Sequence, residues 1–290
     1  MRVSFIGLGA IGYPMAGHLP KRHQTVVWNR TASRAQQHAK EHGSQMAKTL
    51  EETADAEIIF TCLPTSAEVA EIVDKLKPKL RRGALWVDCT SGDPTASREI
   101  ASQLQTLGVA FLDAPVSGGV PGAINGQLTV MVGGDENALE QVRPALECFA
   151  AKIVRVGDVG AGHTVKAISN TLMAVNVWAS SEGLVTLAQQ GVDLSLALDA
   201  INASSGRSNA TERLLPSPLL KREFPPRFKL ALLAKDVKIA TSLTRASGIS
   251  SPVFALISEL LNASKATLGT EADYLEIVKA IERWSGINDA

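Results

Sequence analysis

The stretch RVSFIGLGAIG, residues 2–12, decides how the rest of the chain is read. Val3 to Ile6 is a short β-rich apolar run, and glycines follow at 7, 9 and 12. A GxGxxG that directly follows a strand and opens a helix makes a phosphate-binding turn. Gly7 allows the tight turn, Gly9 lets the backbone approach a pyrophosphate, and Gly12 permits close helix packing. The helix amino terminus adds free N–H groups and a positive dipole end. Alone the pattern is weak, but in this setting it predicts a dinucleotide-binding α/β fold. Gly7, Leu8, Gly9, Ala10, Ile11 and Gly12 are therefore candidate cofactor-binding residues.

Further along, β-rich runs alternate with helical stretches. The strand candidates are Thr25 to Trp28, Ile58 to Cys62, Leu85 to Val87, Val109 to Leu112, Leu128 to Val132 and Ile153 to Val156. Glu68 to Leu80 and Pro94 to Leu107 have helical period, and the alternation implies a parallel, doubly wound sheet. After Gly160 the strand signals stop. The segment from Gly160 to Gln190 reads as one long helix with apolar positions Val165, Ile168, Leu172, Val175, Ala179, Leu184 and Leu187. Ser169, Asn170, Asn176, Ser180, Ser181 and Glu182 interrupt it too often for a membrane span. Asp193 to Asn202, Ala231 to Ala246, Val253 to Leu268 and Ala272 to Trp284 read as further helices. Asp193 suits the cap of the first, and Ser251 with Pro252 the start of the third. Pro216 to Pro226 reads as an ordered loop. The expected architecture is α/β, a doubly wound Rossmann-type domain over residues 1–161 and an all-helical domain over 162–290, joined by a helix of about 162–190.

The length suits two domains, each able to bury a core. Lys+Arg and Asp+Glu stand at 29 each, so no global field draws the chain to nucleic acid or an anionic membrane. Cys62, Cys89 and Cys148 lack metal spacing and read as reduced core residues. The histidines are scattered, His163 reads as a local structural residue, and no metal is indicated. The chain enters its first strand almost at once, with no charged leader and apolar h-region, so a cytoplasmic protein is expected.

Four places carry candidate chemistry. At the end of the second strand an NAD-specific site would carry an acid for the ribose 2′-hydroxyl, but the sequence reads Trp28-Asn29-Arg30-Thr31, followed by Ser33 and Arg34. Asn29, Arg30 and Thr31 suit a 2′-phosphate, which predicts NADP(H) over NAD(H); the alternative is an Arg30 that points to solvent or stacks on adenine. Leu63, Pro64 and Thr65, and then Thr90 and Ser91, follow strands at the carboxyl edge; their hydroxyls suit either a nicotinamide ribose or a helix cap. Asp113-Ala-Pro-Val-Ser117-Gly118-Gly119 presents one hydroxyl and successive open N–H groups, a shape for a carboxylate or simply a relaxed turn. Lys166 and Asn170 stand four apart on one helical face. They suit a small oxygenated substrate, or are a solvated lysine and a locally bonded amide.

The chain resembles the β-hydroxyacid dehydrogenase family over essentially its whole length. The resemblance rests on FIGLGAIGYPMAGHL (5–19), DAPVSGG (113–119), GAGHTVKAISN (160–170) and LLAKDVKIA (232–240), in that order. It implies a two-domain oxidoreductase with the active site between its domains. Lys166 matches the catalytic general acid/base, Asn170 the amide that positions substrate, and Ser117, Gly118 and Gly119 the substrate-carboxylate loop. Lys235 matches a residue that reaches the cofactor side of the cleft, with Asp236 holding it. Leu63, Pro64, Glu68 and Ser91 fall at positions similar to the family's cofactor contacts. Ile11 stands where methionine is common, and Ser169 where a second asparagine is frequent.

Removing a hydroxyl proton as hydride leaves requires an amine that is partly neutral. Desolvation and the charge of oxidised nicotinamide push a lysine pKa down, while a substrate carboxylate raises it. The segment Asn202 to Ser208, with Arg207, resembles the 3-hydroxyisobutyrate branch, whereas Asn29-Arg30-Thr31 is familiar from NADPH-using reductases of glyoxylate and succinic semialdehyde. The expected activity interconverts a small 3-hydroxy acid and its semialdehyde, in a homo-oligomer, dimer or tetramer, with no nucleic-acid or membrane partner. Catalytically dead interaction modules and imine reductases of similar fold are alternatives that predict loss of the lysine present here.

Overall fold

A computed structural model describes residues 1–287. The chain forms two compact units, Met1–Lys166 and a second that begins at Ala167.

The first unit is a sheet wrapped by helices. In chain order it contains β1 (Arg2–Ile6), α1 (Gly12–His18), β2 (Gln24–Trp28), α2 (Ala32–His42), β3 (Gln45–Met46), β4 (Ile58–Thr61), α3 (Ser66–Leu76), β5 (Leu85–Asp88) and α4 (Pro94–Thr106). There follow β6 (Ala110–Asp113), β7 (Val116–Ser117), α5 (Gly119–Ile124), β8 (Leu128–Gly133), α6 (Glu136–Leu146) and β9 (Ala150–Gly157). The strands lie in the order β3-β2-β1-β4-β5-β6-β8-β7, with β9 also paired to β8. From β3 to β6 every pairing is parallel. The chain reverses its winding between β1 and β4, so a crevice opens at their carboxyl ends, where such sheets bind ligands.

Alternate residues of each strand serve opposite layers. Val3, Phe5, Ile58, Phe60, Leu85 and Val87 pack with Met15 of α1, Leu19 of the 3-10 turn that follows it, and Leu139 and Val142 of α6. Ile6, Ile59 and Trp86 pack with Val69, Ile72 and Val73 of α3 and Ile100 and Leu104 of α4. Phe5 and Phe60 are register partners whose rings stack at 5.8 Å between centroids. Burial on both faces explains the near-continuous apolar runs.

The expectation of a uniformly parallel sheet is corrected at one end: β8 runs antiparallel to β6 and to β7, while β9 runs parallel to β8. An apolar run carries no sign of its direction. The helix read to Leu80 ends at Leu76 and continues as a 3-10 turn, Lys77–Lys79, because Pro78 lacks the N–H that an α-helix needs.

A long helix, α7 (Ala161–Gln189), spans the end of the first unit and the start of the second. It is followed by α8 (Leu194–Asn202), a π turn at Ala210–Leu214, α9 (Pro216–Lys221), α10 (Leu230–Ala246), α11 (Pro252–Leu268) and α12 (Ile277–Trp284). Ala174, Val177, Trp178 and Leu184 of α7 share a core with Leu198, Leu233, Val237, Ile257, Leu261 and Ile281. The buried face of α7 follows the stripe read from the sequence only in part: Leu184 is in the core, but Val165 is 38% and Leu172 51% exposed. Small and hydroxyl residues face inward instead: Thr171 and Ser181 are fully buried because each donates to the carbonyl four residues back, Ala167 O and Val177 O.

Two other expectations change. The Pro216 to Pro226 patch holds a short helix, α9, ended by Arg222 at a left-handed φ of 57°. The last helix starts at Ile277 rather than Ala272, because Asp273 caps a 3-10 turn at Tyr274–Glu276 and its other oxygen accepts from Arg227 N (2.6 Å) and Phe228 N (2.8 Å). Asp193 caps α8 through Ser195 N and Leu196 N, as read. Among the described residues no helix is long and apolar enough to cross a membrane, and no group of three or more His, Cys, Asp or Glu is placed to hold a metal.

A buried histidine makes the first unit sensitive to acid. His38 Nε2 faces the Tyr13 carbonyl (3.1 Å), which only accepts, so Nε2 carries the proton and Nδ1 accepts from Ser44 Oγ (2.7 Å). Burial, and then the neighbouring His42, push its pKa from 6.5 down to about 4. The unfolded chain therefore takes up this proton first, and the stability that neutral His38 supplies is complete above pH 6.5 and lost as pH falls towards 4. Thermal melts across this window should show a fall that is shallower in His38→Gln by up to about 3 kcal/mol. Parallel pH profiles for the two proteins would contradict the neutral-histidine arrangement.

Candidate active site

The three glycines of the first turn are required for different reasons. Gly7 has φ +101°, and a Cβ there would lie 2.3 Å from Cys62 O. At Gly12 a Cβ would lie 2.1 Å from Gly7 O, so α1 can start this close to the turn only without a side chain. Gly9 is different: nothing lies within 4 Å of its Cβ position, and the residue is exposed. The fold itself does not require glycine at 9, whereas a pyrophosphate resting on the backbone does, so the turn fits a dinucleotide.

Beside it, the end of β2 is wired to the turn. Asn29 Oδ1 accepts from Leu8 N (3.0 Å), and Asn29 Nδ2 donates to Thr31 O (3.1 Å). Both ends of that amide thereby brace the loop. Arg30 and Thr31 are exposed, Thr31 makes no side-chain cap to α2, and Arg30 has no ion pair among the described residues. The Arg34 guanidinium sits over the Tyr13 ring, 5.8 Å from its centroid.

The loops after β4 and β5 are joined by side chains. Thr90 Oγ1 accepts from Leu63 N (3.1 Å), while Thr90 N and Thr61 Oγ1 donate to Asp88 Oδ1 (3.1 and 2.9 Å). Thr90 is buried, so its hydroxyl is a brace. Glu68 Oε2 accepts from Thr65 N and Thr65 Oγ1 (2.8 and 2.6 Å), closing a capping box on α3. Leu63 and Ser91 are half-buried and Pro64 exposed.

Residues given no site role in the sequence, among them His163, read as a local structural residue, hold these pieces in place. Asp113, fully buried at the end of β6, accepts from Gly160 N (2.7 Å) and His163 N (2.8 Å), tying that strand end to the start of α7. Burial raises its carboxyl pKa, while His163 and the two N–H groups act against the rise. A Cβ at Gly162 would lie 2.4 Å from Met131 O, so only glycine lets α7 start against the sheet. His163 is also fully buried, with Nδ1 2.6 Å from Ser97 Oγ and Nε2 3.9 Å from Asp88 Oδ2. The available signal was an aspartate closing an apolar run, at Asp88 and again at Asp113; in a buried edge it must find N–H or O–H donors.

From β6 the chain passes directly to the Ser117 loop. Ser117 is half-buried, and Gly118 and Gly119 are exposed at φ +133° and +63°, conformations that favour glycine. Three residues beyond His163, Lys166 is 9% exposed.

In the second unit, Asn170 is 6% and Asp236 1% exposed. Asn170 Nδ2 donates to Asp236 Oδ2 (2.6 Å), and Lys235 Nζ pairs with Asp236 Oδ1 (3.0 Å). Asp236 thus joins the neighbouring Lys235 and, 66 residues away, Asn170 in one hydrogen-bonded group. Arg207, by contrast, is exposed and pairs with Glu212 at 3.5 Å.

Comparison with known proteins places the chain among related sequences and structures. The family described as the NAD binding domain of 6-phosphogluconate dehydrogenase matches residues 2–157. That described as the NAD-binding domain of NADP-dependent 3-hydroxyisobutyrate dehydrogenase matches residues 160–281. The 2-hydroxy-3-oxopropionate reductase of Escherichia coli is 33% identical over 287 residues, 97% of each chain. The mitochondrial 3-hydroxyisobutyrate dehydrogenase of Mus musculus is 34% identical over 248 residues, 82% of this chain and 74% of that one. The structure of Mycobacterium tuberculosis 3-hydroxyisobutyrate dehydrogenase with L-serine superposes with a TM-score of 0.89 at 29% identity, covering 97% of this chain and 99% of that one. With a phosphate-binding turn in one unit, a helical second unit, and relatives matched along nearly the whole length, the chain belongs to the β-hydroxyacid dehydrogenase family of NAD(P)-dependent oxidoreductases acting on CH–OH groups.

Proposed function

We propose that the protein interconverts a small 3-hydroxy acid of the 3-hydroxyisobutyrate type and its semialdehyde, using NADP(H), with Lys166 as general acid/base. The observation that carries this reading is the Asp113 brace. One carboxylate fixes the start of the helix bearing Lys166 to the strand end that leads into the Ser117-Gly118-Gly119 loop. An amine and a carboxylate-binding loop are what a hydroxy acid requires of an enzyme.

The roles follow from the chemistry of each group. The Ser117 hydroxyl and the N–H groups of Gly118 and Gly119 hold the substrate carboxylate. Lys166 takes the hydroxyl proton during oxidation and returns it to the carbonyl oxygen during reduction. Its burial removes the water that would otherwise stabilise the ammonium. Asn170 orients the reacting oxygen. Bound nicotinamide supplies or accepts the hydride, and the Gly7–Gly12 turn holds its pyrophosphate.

NADP(H) is favoured by three features: no acid at the end of β2, an exposed Arg30 with no ion pair among the described residues, and a second family match described as NADP-dependent. Asn29, braced at both ends, positions this loop, and Thr31 offers its hydroxyl. Thr90 and Glu68 serve the cofactor through the loops they hold rather than by touching it.

A second reading has its own support. The 97% mutual coverage with a 2-hydroxy-3-oxopropionate reductase favours a hydroxylated semialdehyde as substrate. Both readings need a carboxylate two carbons from the reacting oxygen.

Lys166→Ala should bind NADPH with unchanged affinity while kcat/KM falls by about 10³-fold, since the proton path is lost and the phosphate site kept. Undiminished turnover would reject the lysine. Arg30→Ala should raise the KM for NADPH by about 10- to 100-fold and that for NADH by less than about 2-fold; equal losses would remove the 2′-phosphate assignment. Comparing kcat/KM for 3-hydroxyisobutyrate, its semialdehyde, 2-hydroxy-3-oxopropionate, glyoxylate and succinic semialdehyde with both cofactors decides between the readings. Turnover confined to glyoxylate, which lacks the second carbon, would overturn both.

A further inference from the structure

Cys62 and Cys89 take no part in the chemistry above, yet the sheet places them side by side. β4 and β5 are parallel and their last register pair is Thr61 with Asp88, so Cys62 and Cys89 are the next residues of the two strands. The ladder reaches this point, since Cys89 N donates to Thr61 O at 2.7 Å. Cross-strand bonds hold the two chains together on both sides of the pair. Before it, Thr61 Oγ1 donates to Asp88 Oδ1 (2.9 Å); after it, Leu63 N donates to Thr90 Oγ1 (3.1 Å). Side chains alternate along a strand, and Thr61 accepts from the Trp86 indole N–H on one face. Both thiols therefore project from the other face, and both pack in the layer that includes Met15 of α1. Neighbouring strands lie about 4.8 Å apart, inside the Cα separation of about 4.4–6.8 Å that a disulfide spans.

We infer that Cys62 and Cys89 are a disulfide-forming pair, and that closing the bond weakens dinucleotide binding by displacing the first glycine turn. All three cysteines are free thiols in this structure. A peroxide is the oxidant. The sulfur of Cys62, the less buried of the two, attacks the O–O bond and becomes a sulfenic acid, and its proton leaves with the other oxygen as water. The Cys89 sulfur then attacks the Cys62 sulfur: S–S forms, S–O breaks, and hydroxide leaves with the Cys89 proton as a second water. The sulfurs lose two electrons and the peroxide gains them. Burial, and then the Asp88 charge, push the Cys62 thiol up to about 12, and burial raises Cys89 as well, so the reduced pair survives brief exposure and reacts under sustained oxidation.

Closing the bond draws the two Cβ atoms from about strand spacing to about 3.8 Å. Cys89 is 3% exposed, so the movement falls on Cys62. Cys62 lies against the turn at two points. A Cβ at Gly7 would lie 2.3 Å from its carbonyl oxygen, and one at Gly12 would lie 3.3 Å from its Cβ. A displaced Cys62 carries both glycines with it, away from the position in which the turn's N–H groups meet a pyrophosphate.

The test treats the full chain with millimolar hydrogen peroxide and removes the excess with catalase. A digest without reductant should yield the Cys62 and Cys89 peptides joined, two hydrogens lighter than their sum. NADPH affinity should fall by about tenfold and return with dithiothreitol. Cys148→Ala should behave like the wild type. Cys89→Ala and Cys62→Ser should give neither the joined peptide nor the loss, each measured against its own untreated affinity. Absence of the joined peptide, an unchanged affinity in the joined protein, or an equal loss in Cys89→Ala overturns the inference. A loss that dithiothreitol does not reverse belongs to other oxidation products and overturns it too.

A second measurement needs no variant. If the bond lowers cofactor affinity, bound cofactor must oppose the bond by the same factor. In a dithiothreitol redox buffer, saturating NADP⁺ should make the pair about tenfold harder to oxidise, a shift of about 30 mV for two electrons. An unshifted midpoint overturns the link between the pair and the turn.

Discussion

The carboxylate of Asp113 sits where the sheet has no water to offer. A charge in such a place is tolerated only when donors surround it, and the donors here are Gly160 N and His163 N, at the start of α7. Early N–H groups of a helix have no partner within the helix itself, so two deficits are met at once. The geometry leaves little freedom. Gly162 must lack a side chain for the helix to approach Met131 O, and Lys166 follows about one turn later on the same rigid rod. The backbone that carries the amine is thus fixed relative to the strand edge by hydrogen bonds.

Similar logic recurs at other points. Asp88 gathers Thr61 and Thr90 at the end of the neighbouring strand, Asp93 caps α4 through Thr95 N and Ala96 N, and Asp273 holds the chain before α10 to the start of the last helical segment. Each acid replaces bulk solvent with fixed N–H or O–H donors. A hydride-transfer enzyme gains from such an arrangement, because dipoles already in place need not reorganise as charge moves. Flexible, water-exposed anchors would have to be ordered in each cycle.

Much of the fold was legible from residues alone. The run Val3 to Ile6 followed by Gly7, Gly9 and Gly12 specifies strand, turn and helix locally, and Asp193 and Pro252 mark helix starts by their own chemistry. What was not legible is what depends on partners distant in sequence. β3 and β7 are two residues long and have no pattern to read, and the reversed direction of β8 is written in no residue of β8. The α7 stripe misled because that helix is apolar on several sides; its buried face is chosen by what lets neighbours come near, hence Ala174, Thr171 and Ser181. In the site, residue types were readable, but of their pairings only that of the adjacent Lys235 and Asp236 was. Asn29, Thr90 and Glu68 all stand where a ligand would be expected, and each also has a side-chain atom bonded to neighbouring chain. The bond between Asn170 and Asp236 spans 66 residues, and no spacing rule reaches that far.

The first turn separates two kinds of necessity. At 7 and 12 a methyl group would strike the protein's own carbonyls, so those glycines are demanded by folding whatever the protein is used for. At 9 the space is open, and the demand comes from a molecule the chain does not encode. A descendant released from redox work would be free to acquire alanine or serine at 9 while remaining bound to glycine at its two neighbours. That single position records use, and the flanking pair records architecture.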